Sequence, residues 1–434
     1  MNTPAGNPRP PGSRLKTIST IGFAVLGACL IAISYGLARF AFGLFVPPMR
    51  SDLGLGADMI GIIGAVPFIS FVIATLFAPL ITTRFGARNT AILSGGLGTT
   101  GLAVMSQAES ALVLSGGIFA CGVCTGLMMP ALTSAMQAVV LRALHGRVTA
   151  VMNAGTSIGV VVAVPAALFL VGQWRLAYIS FAILAGIGML AAWYFIPSVS
   201  RVQPVDAEPP PKISILQWTQ LIRLSLFAFS MGFIASGYWI FAPDLVVNLS
   251  SLPSDQTAWL WLAVGVAGLS GAVISDLSDR NGPAIVHALA LVTLSASLAL
   301  LAASPGQLFL AIISAMVFGV AYMSLSGLYL ITGIHLLPGR PSVGPVLPFL
   351  AIALGQAAGS PAIGLAIKHL DYGHAFALFS TFGLFIALLS PLYPRHSEHE
   401  DHGPPEQSDT RVTAAIEPPA GESSRPTAES IGTD

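Results

Sequence analysis

The chain has 434 residues, of which 54% are apolar and only 9% are charged, and its 19 basic side chains balance its 19 acidic ones. A soluble domain carries about 25% charged residues, so a water-facing surface and a soluble fold are excluded. A nucleic-acid partner is also excluded, because the sequence has no basic stripe. Its three cysteines all lie in apolar runs, which excludes a disulfide scaffold and leaves a protein embedded in the lipid bilayer.

Twelve apolar runs are long enough to cross a bilayer, which takes about 20 residues in a helix. None of them alternates polar and apolar residues with a period of two over blocks of ten, so a β-barrel is excluded. The sequence predicts an all-α membrane protein. Its transmembrane helices are expected at 20–46, 59–82, 89–108, 111–140, 149–171, 176–197, 221–245, 257–275, 284–303, 307–336, 343–367 and 373–393.

Polar segments divide these runs into two sets of six. Residues 1–17 are basic and rich in Pro and Gly, and they predict a cytoplasmic tail, not a signal peptide, before a first bundle at 18–197. A polar, proline-rich linker at 198–214 leads to a second bundle at 215–394. The acidic segment 395–434 has no apolar periodicity and predicts a disordered cytoplasmic tail.

The distribution of basic residues predicts the orientation, because loops rich in Lys and Arg stay in the cytoplasm. With the N-terminus inside, fifteen of the 19 basic residues fall in cytoplasmic segments. We therefore expect both termini in the cytoplasm and a multi-pass protein of the plasma membrane, the inner membrane of a bacterium.

A helix-packing motif occurs in both sets of runs. Two glycines four residues apart, followed by a proline, occur in both the fifth and the eleventh runs, and the two glycine pairs are 200 residues apart. The residues are Gly155, Gly159 and Pro165, then Gly355, Gly359 and Pro361. Small residues at this spacing let two helix backbones approach closely. Two repeated halves of six helices are typical of secondary transporters, whose substrate site lies between the halves near mid-membrane.

The loops after the second and eighth runs read TRFG at 83–86 and SDLSDRNG at 275–282. With the repeated halves, they resemble the loop motif of the major facilitator superfamily of transporters over roughly 18–394. The first loop keeps the basic residue and the glycine of that motif but lacks its acid. The resemblance implies a cytoplasmic latch that is made and broken during alternating access. Its residues are Arg84, Gly86, Asp279, Arg280 and Gly282.

Two further segments refine the resemblance. Residues 36–49, with Arg39 followed by paired prolines, are similar to the YbfB/YjiJ group of bacterial members of the superfamily. The fifth run resembles the antiporter motif of the superfamily, although the glycine before Pro165 is missing. That motif favours efflux.

Arg39 is the one formal charge deep within a predicted span, because Pro47 and Pro48 are expected to end the first helix beyond it. A buried arginine is costly and normally faces an interior cavity with a partner. It either binds an anion or forms a gate, or it snorkels to the outer headgroups. Asp244, near the outer end of the seventh run, is the candidate partner, so we expect an Arg39–Asp244 contact that closes an outer gate.

The fold implied by the resemblance places the first, fourth, seventh and tenth runs around a central cavity. Aromatic and polar side chains on them are candidates for substrate contact, and each is equally suited to helix packing. They are Tyr35, Thr133, Gln137, Tyr238, Trp239, Tyr322, Ser326 and Tyr329.

No motif supports catalysis, a cofactor or a metal. The G-x-G-x-x-G match at 96–101 and the pair Cys121 and Cys124 both lie inside apolar runs. A dinucleotide site needs a strand before its glycines, so both patterns are interpreted as helix packing.

We therefore expect a monomeric secondary transporter that moves a small organic solute by alternating access. Efflux driven by protons is the first hypothesis, although no carboxylate lies at mid-depth and Asp244 is the only nearby acid. Uptake or exchange of an organic anion bound through Arg39 is the alternative. A membrane receptor or sensor that transports nothing is the third.

Overall fold

The computed structural model describes residues 18–170, 172–198, 213–250, 253–270, 274–303, 306–337 and 344–394. The predicted tails at 1–17 and 395–434, and most of the predicted linker, lie outside these residues. The regular structure of the described residues is helical and contains no β-strand.

Nine described helices are long and apolar enough to cross a membrane. One of them, Ala57–Ser106, would be about 75 Å long as a single rod, but Gly86 interrupts it with a φ of 79°, so it forms two spans. Two shorter apolar helices then bring the number to twelve in the described part of the chain. The twelve are α1 (Thr20–Leu44), α2 (57–85), α3 (87–106), α4 (Ala111–Val139), α5 (His145–Phe169), α6 (Trp174–Phe195), α7 (Ile215–Ser250), α8 (Ala258–Gly268), α9 (Pro283–Ala302), α10 (Leu308–Leu336), α11 (Val346–His369) and α12 (Tyr372–Leu388).

The predicted fold class is confirmed, and the predicted spans agree closely with these helices. The largest difference at a single boundary is in the eighth span, because α8 ends at Gly268 and continues as a 3₁₀ turn at 269–270, while α7 extends beyond its predicted range at both ends. The Ser270 hydroxyl donates to the carbonyl of Ala267 at 2.7 Å. Such local bonds compete with the α-helical ladder, which explains the early end.

Glycine pairs pack the helices of the two halves in the same way. Each pair lies so close to a neighbouring helix that an added Cβ would collide with its backbone carbonyls. The pairs are Gly155 and Gly159 of α5, against Ala28 and Ala32 of α1, and Gly355 and Gly359 of α11, against Phe229 and Phe233 of α7. The contact of α1 with α5 thus corresponds to that of α7 with α11, the relation that the repeated motif predicts. Pro165 lies farther along α5, on an exposed face.

A bulky residue at this contact is expected to destabilise the fold. In Gly159→Val, the side chain would meet the carbonyl of Ala32 and the backbone of Gly36. Overpacking of a tight contact costs about 1–3 kcal/mol, and more where backbone must move. We expect a clear fall in the melting temperature of the purified protein in detergent.

Gly116→Val is the matched control, because a Cβ at Gly116 of α4 would meet no atom within 4 Å. It should leave the melting temperature unchanged. An equal loss of stability in both variants would contradict the packing explanation.

The two halves contact each other near the end of the bundle that is predicted to face outside, which we call the predicted outer end. A Cβ at Gly61 of α2 would lie 2.5 Å from the Ser360 carbonyl of α11. One at Gly265 of α8 would lie 2.6 Å from the Val161 side chain of α5. The backbones of α2 and α11 are therefore in direct contact here, and α8 packs closely against α5.

Candidate functional site

Arg39 lies near the end of α1 in a nine-residue π-helical segment, Ala32–Phe40. Its side chain is only 7% exposed. Its Nη2 donates to Oε1 of Gln356 in α11 at 3.1 Å, and Nε2 of Gln356 donates to the Tyr322 hydroxyl of α10 at 3.3 Å. This chain of hydrogen bonds links the first half of the protein to the second through a buried cation.

Aromatic rings surround the Arg39 guanidinium. Its carbon lies 4.6 Å from the ring centres of Phe68 and Phe71 in α2, and 5.1 Å from that of Phe40. Cations over such ring faces gain roughly 0.5–2 kcal/mol each. The side chain therefore does not snorkel to the headgroups, because protein encloses it and its hydrogen bond runs to α11.

No carboxylate neutralises this charge within the part of the chain that the structure describes, where Arg39 forms no ion pair. Its Nε is buried without a hydrogen-bonding partner. A buried, unpaired cation is unfavourable. The guanidinium therefore has a neutral amide as its hydrogen-bonding partner and one donor that the described residues leave unsatisfied.

Two more of the predicted candidates join this cluster, in addition to Tyr322. Tyr35 lies one helical turn before Arg39, 6.0 Å from its guanidinium carbon. Trp239 of α7 packs its ring 4.3 Å from Phe40 and 5.3 Å from Tyr322. We call Arg39, Tyr35, Trp239, Tyr322 and Gln356 the arginine site.

The other candidates lie elsewhere. The Tyr238 hydroxyl contacts Ser314 at 3.1 Å inside the second half, and the Tyr329 hydroxyl donates to the carbonyl of Phe227 at 3.2 Å. Both rings are fully buried by this packing. Gln137 is exposed near the opposite end of α4 from the predicted outer end.

The prediction of a contact between Arg39 and Asp244 is wrong. Asp244 of α7, 1% exposed, instead forms an ion pair of 2.8 Å with Arg50 and accepts a hydrogen bond from the Tyr372 hydroxyl of α12. Asn248 donates to its other oxygen at 3.0 Å. An ion pair at the predicted outer end does join the halves, but its cation is Arg50.

The position of Pro47 and Pro48 explains why Asp244 pairs with Arg50 and not with Arg39. Instead of ending all helical structure, Pro47 and Pro48 lie in the first turn of a further short helix, Val46–Leu53, where proline is well tolerated. That helix carries Arg50 to Asp244. Arg39 lies eleven residues earlier, about 16 Å away at the helical rise, and so reaches α11 instead.

Two weaker ion pairs occur at the same end. Lys368 of α11 contacts Asp58 of α2 at 2.7 Å across the halves, but both side chains are substantially exposed, and such pairs contribute about 0–1 kcal/mol. Arg175 pairs with Asp52 within the first half. The hydrogen bond from Arg175 holds the pKa of Asp52 below the usual 3.8, so this carboxylate is ionised at neutral pH.

The loop glycines of the predicted latch have matching backbone conformations. Gly86 has a φ of 79° and Gly282 a φ of 83°, a region that favours glycine. Arg84 and Arg280 are both exposed, and neither forms an ion pair with another described residue. The side chain of Asp279 lies outside the described part.

The glycine motif at 96–101 and the cysteine pair Cys121 and Cys124 pack against each other. A Cβ at Gly98 of α3 would lie 2.8 Å from the Cys124 sulfur of α4, and one at Gly101 would lie 2.8 Å from the Cys121 sulfur. The glycines therefore make room for the cysteines. Across the described residues, no three His, Cys, Asp or Glu side chains form a group that could hold a metal.

Gln356 and Arg50 are not among the residues predicted from the sequence. Gln356 is fully buried and is the only amide side chain in its apolar run, a signal that was available. Arg50 gave no such signal, because its position depends on the short helix after the prolines.

Comparisons with known proteins agree with this architecture. The sequence profile of the Major Facilitator Superfamily matches residues 28–342, and no curated protein matches the chain in sequence. Among solved structures, the nucleoside transporter NupG superposes with a TM-score of 0.70 at 13% identity, covering 86% of this chain and 98% of that one. The xylose transporter XylE from E. coli, partially occluded and inward open, has a TM-score of 0.68 at 13% identity, with 90% and 100% covered.

A bacterial homologue of the lysosomal transporter Spinster, inward-facing and unoccupied, has a TM-score of 0.68 at 14% identity, with 89% of this chain and 100% of that one covered. At such identities these similarities establish the fold alone. The sequence profile covers well over half of the chain. The chain therefore belongs to the Major Facilitator Superfamily.

Proposed function

We propose that this chain is a secondary transporter of small organic carboxylates, and that it binds the anionic group of its cargo at Arg39. Membership of the superfamily supports a transporter rather than an enzyme or a receptor. The observation that carries the substrate class is the buried Arg39 guanidinium, which has a neutral amide as its hydrogen-bonding partner and an unpaired Nε.

Electrostatics favours an anionic cargo over a neutral one. Burial of a charge without a counter-ion is among the costliest arrangements in a protein, and an arginine inside a membrane marks a substrate pathway by default. A carboxylate would neutralise Arg39 and satisfy its free donors. A transporter of the same fold, from the POT family, binds 5-aminolevulinic acid, which supports the ability of this architecture to hold a carboxylic acid.

We propose that the described state is closed to the outside and open to the cytoplasm. The Arg50–Asp244 pair and the contact of Gly61 with α11 hold the halves together at the predicted outer end. Gln137 and both arginines of the proposed latch are exposed toward the other end. The orientation itself follows from the basic cytoplasmic loops.

For the direction we propose export, which the antiporter-like sequence of α5 favours, with Asp244 as the candidate group for proton coupling because it is a buried carboxylate. We place the chain in the YbfB/YjiJ group, on the strength of residues 36–49, as a monomer of the bacterial plasma membrane with cytoplasmic termini. The six-helix bundles at 18–197 and 215–394 would move relative to each other.

Transport in proteoliposomes tests the proposed function. Benzoate, benzamide and benzyl alcohol share one ring and differ in charge, so they separate recognition of the anion from hydrophobic partition. We expect saturable movement of benzoate only, measured in both directions with and without a pH gradient. Equal movement of all three solutes, or of none, would contradict the proposal, and a rate that does not respond to the pH gradient would remove proton coupling.

A further inference from the structure

We propose that Gln356 is a neutral placeholder, which holds Arg39 in the empty transporter and is displaced by the carboxylate of the cargo. The inference rests on the proposed function and adds to it the step that binding requires. It also narrows the cargo to monocarboxylates with a flat apolar body.

The position of the Gln356 amide supports displacement. A carboxylate binds a guanidinium most strongly through two parallel hydrogen bonds from neighbouring nitrogens, and Nη2 belongs to both pairs of neighbouring nitrogens. Gln356 Oε1 accepts from Nη2 at 3.1 Å. An anion that binds side-on, through Nε and Nη2, gains the unpaired Nε. It also brings an oxygen to the nitrogen that the Gln356 oxygen already contacts, and repulsion between these two oxygens favours departure of the amide.

The chemistry of an amide suits a placeholder better than that of an acid. A glutamate has the same shape as Gln356 but would form a buried ion pair with Arg39 that an external anion could not easily replace. A carboxylate adds to the hydrogen bond with Arg39 the Coulomb attraction between opposite charges, which a neutral amide lacks. The amide therefore satisfies the cation in the empty state and yields to a carboxylate.

The surroundings of Arg39 restrict the shape and charge of the cargo. Its neighbours in the described structure are rings and one amide, with no second Lys or Arg side chain among these contacts. One cation neutralises one carboxylate, so a dianion would leave a charge unpaired. Phe68 and Phe71 of one half contact the guanidinium, and Trp239 of the other half packs on Tyr322, so a flat apolar group is the cargo body that would suit these rings.

Displacement has a consequence for the two halves. The bond between Arg39 and Gln356 joins α1 to α11, and Gln356 also donates to Tyr322 of α10. When a carboxylate takes the place of the amide, this direct contact between the halves is lost and the cargo itself connects them. Binding would thus release one restraint that holds the empty state.

Gln356→Glu tests the placeholder directly. The carboxylate that it introduces should pair with Arg39 and exclude the cargo, so we expect the affinity for benzoate to fall at least tenfold. The readout is the rise in melting temperature of the purified full-length protein with added benzoate. The protein without benzoate should be at least as stable as the wild type, because its buried cation is now neutralised.

Gln356→Leu and Gln107→Glu complete the set. The leucine removes the competing amide, so benzoate affinity should be equal to that of the wild type or higher. Gln107 is exposed at the end of α3, so Gln107→Glu adds the same charge far from Arg39 and should bind benzoate like the wild type.

Two results would contradict the placeholder role of Gln356 without contradicting the proposed function. One is benzoate binding by Gln356→Glu as tight as that of the wild type. The other is a tenfold loss of benzoate affinity in Gln356→Leu, which would show that the amide binds the cargo. If the wild type responds to no carboxylate, the proposed function fails and the placeholder fails with it. The wild-type measurement therefore separates the two failures.

Discussion

Replacement of Arg39 by glutamine is expected to abolish carboxylate transport without harm to the fold. A hydrogen bond to a charged group contributes about 1.5–3 kcal/mol, so the variant should lose roughly 10- to 150-fold in affinity for benzoate. Because Arg39 is buried without a charged partner, its removal relieves an unfavourable charge, and the melting temperature should not fall. Equilibrium binding and proteoliposome flux measure the first effect, and thermal unfolding measures the second.

Arg39→Lys and Arg142→Gln serve as controls for this experiment. The lysine keeps the charge but loses the planar fork that binds both oxygens of a carboxylate, so an intermediate affinity is expected. Arg142, in the loop between α4 and α5, is exposed, and its loss should leave benzoate affinity unchanged. If Arg39→Gln transports benzoate at the wild-type rate, or simply fails to fold, the role assigned to Arg39 is wrong.

Loss of the carboxylate at Asp244 is expected to open the predicted outer end. In Asp244→Asn, the partly buried Arg50 loses its counter-ion. Breaking a fully buried pair costs about 3–5 kcal/mol. Arg50 is 29% exposed, so we expect a smaller penalty of about 1–3 kcal/mol, which shifts the equilibrium toward the outward-open state by roughly 5- to 150-fold.

A membrane-impermeant maleimide measures this shift. Leu245 is buried beside Asp244, and a cysteine at this position, in a Cys29→Ser background, should react faster from outside in Asp244→Asn than in the parent. Asp52→Asn is the matched control, because it removes an ion pair at the same end that lies within the first half. Unchanged labelling in Asp244→Asn, or equal acceleration by Asp52→Asn, would rule out Asp244 as part of the gate.

The sequence alone predicts the helices because the bilayer imposes one length and one polarity on every span. It also predicts the contact of α1 with α5, since a glycine pair at helical spacing has few other uses in a membrane helix. The turns at Gly86 and Gly282 follow from the loop motif. These features are local, so residues close in the chain determine them.

The site is harder to predict because its contacts join distant segments. Asp244 was predicted to pair with an arginine across the halves, but which arginine reaches it depends on how the chain continues beyond Pro47. Of the predicted aromatic candidates, Tyr35, Trp239 and Tyr322 lie beside Arg39, whereas Tyr238 lies on the neighbouring face of α7 and packs inward. Neighbouring side chains on a helix point in directions about 100° apart. An error of one residue in a register inferred from a family resemblance therefore places the wrong side chain at the site.

The location of a bound carboxylate is the most direct test of the account. The full-length protein crystallised with 4-iodobenzoate would reveal the iodine by its anomalous scattering and the carboxylate by its density. We expect both carboxylate oxygens within hydrogen-bonding distance of the Arg39 guanidinium, the ring among Phe68, Phe71 and Trp239, and the Gln356 amide moved away from Nη2. A ligand bound elsewhere, with the Arg39–Gln356 bond intact, would contradict it.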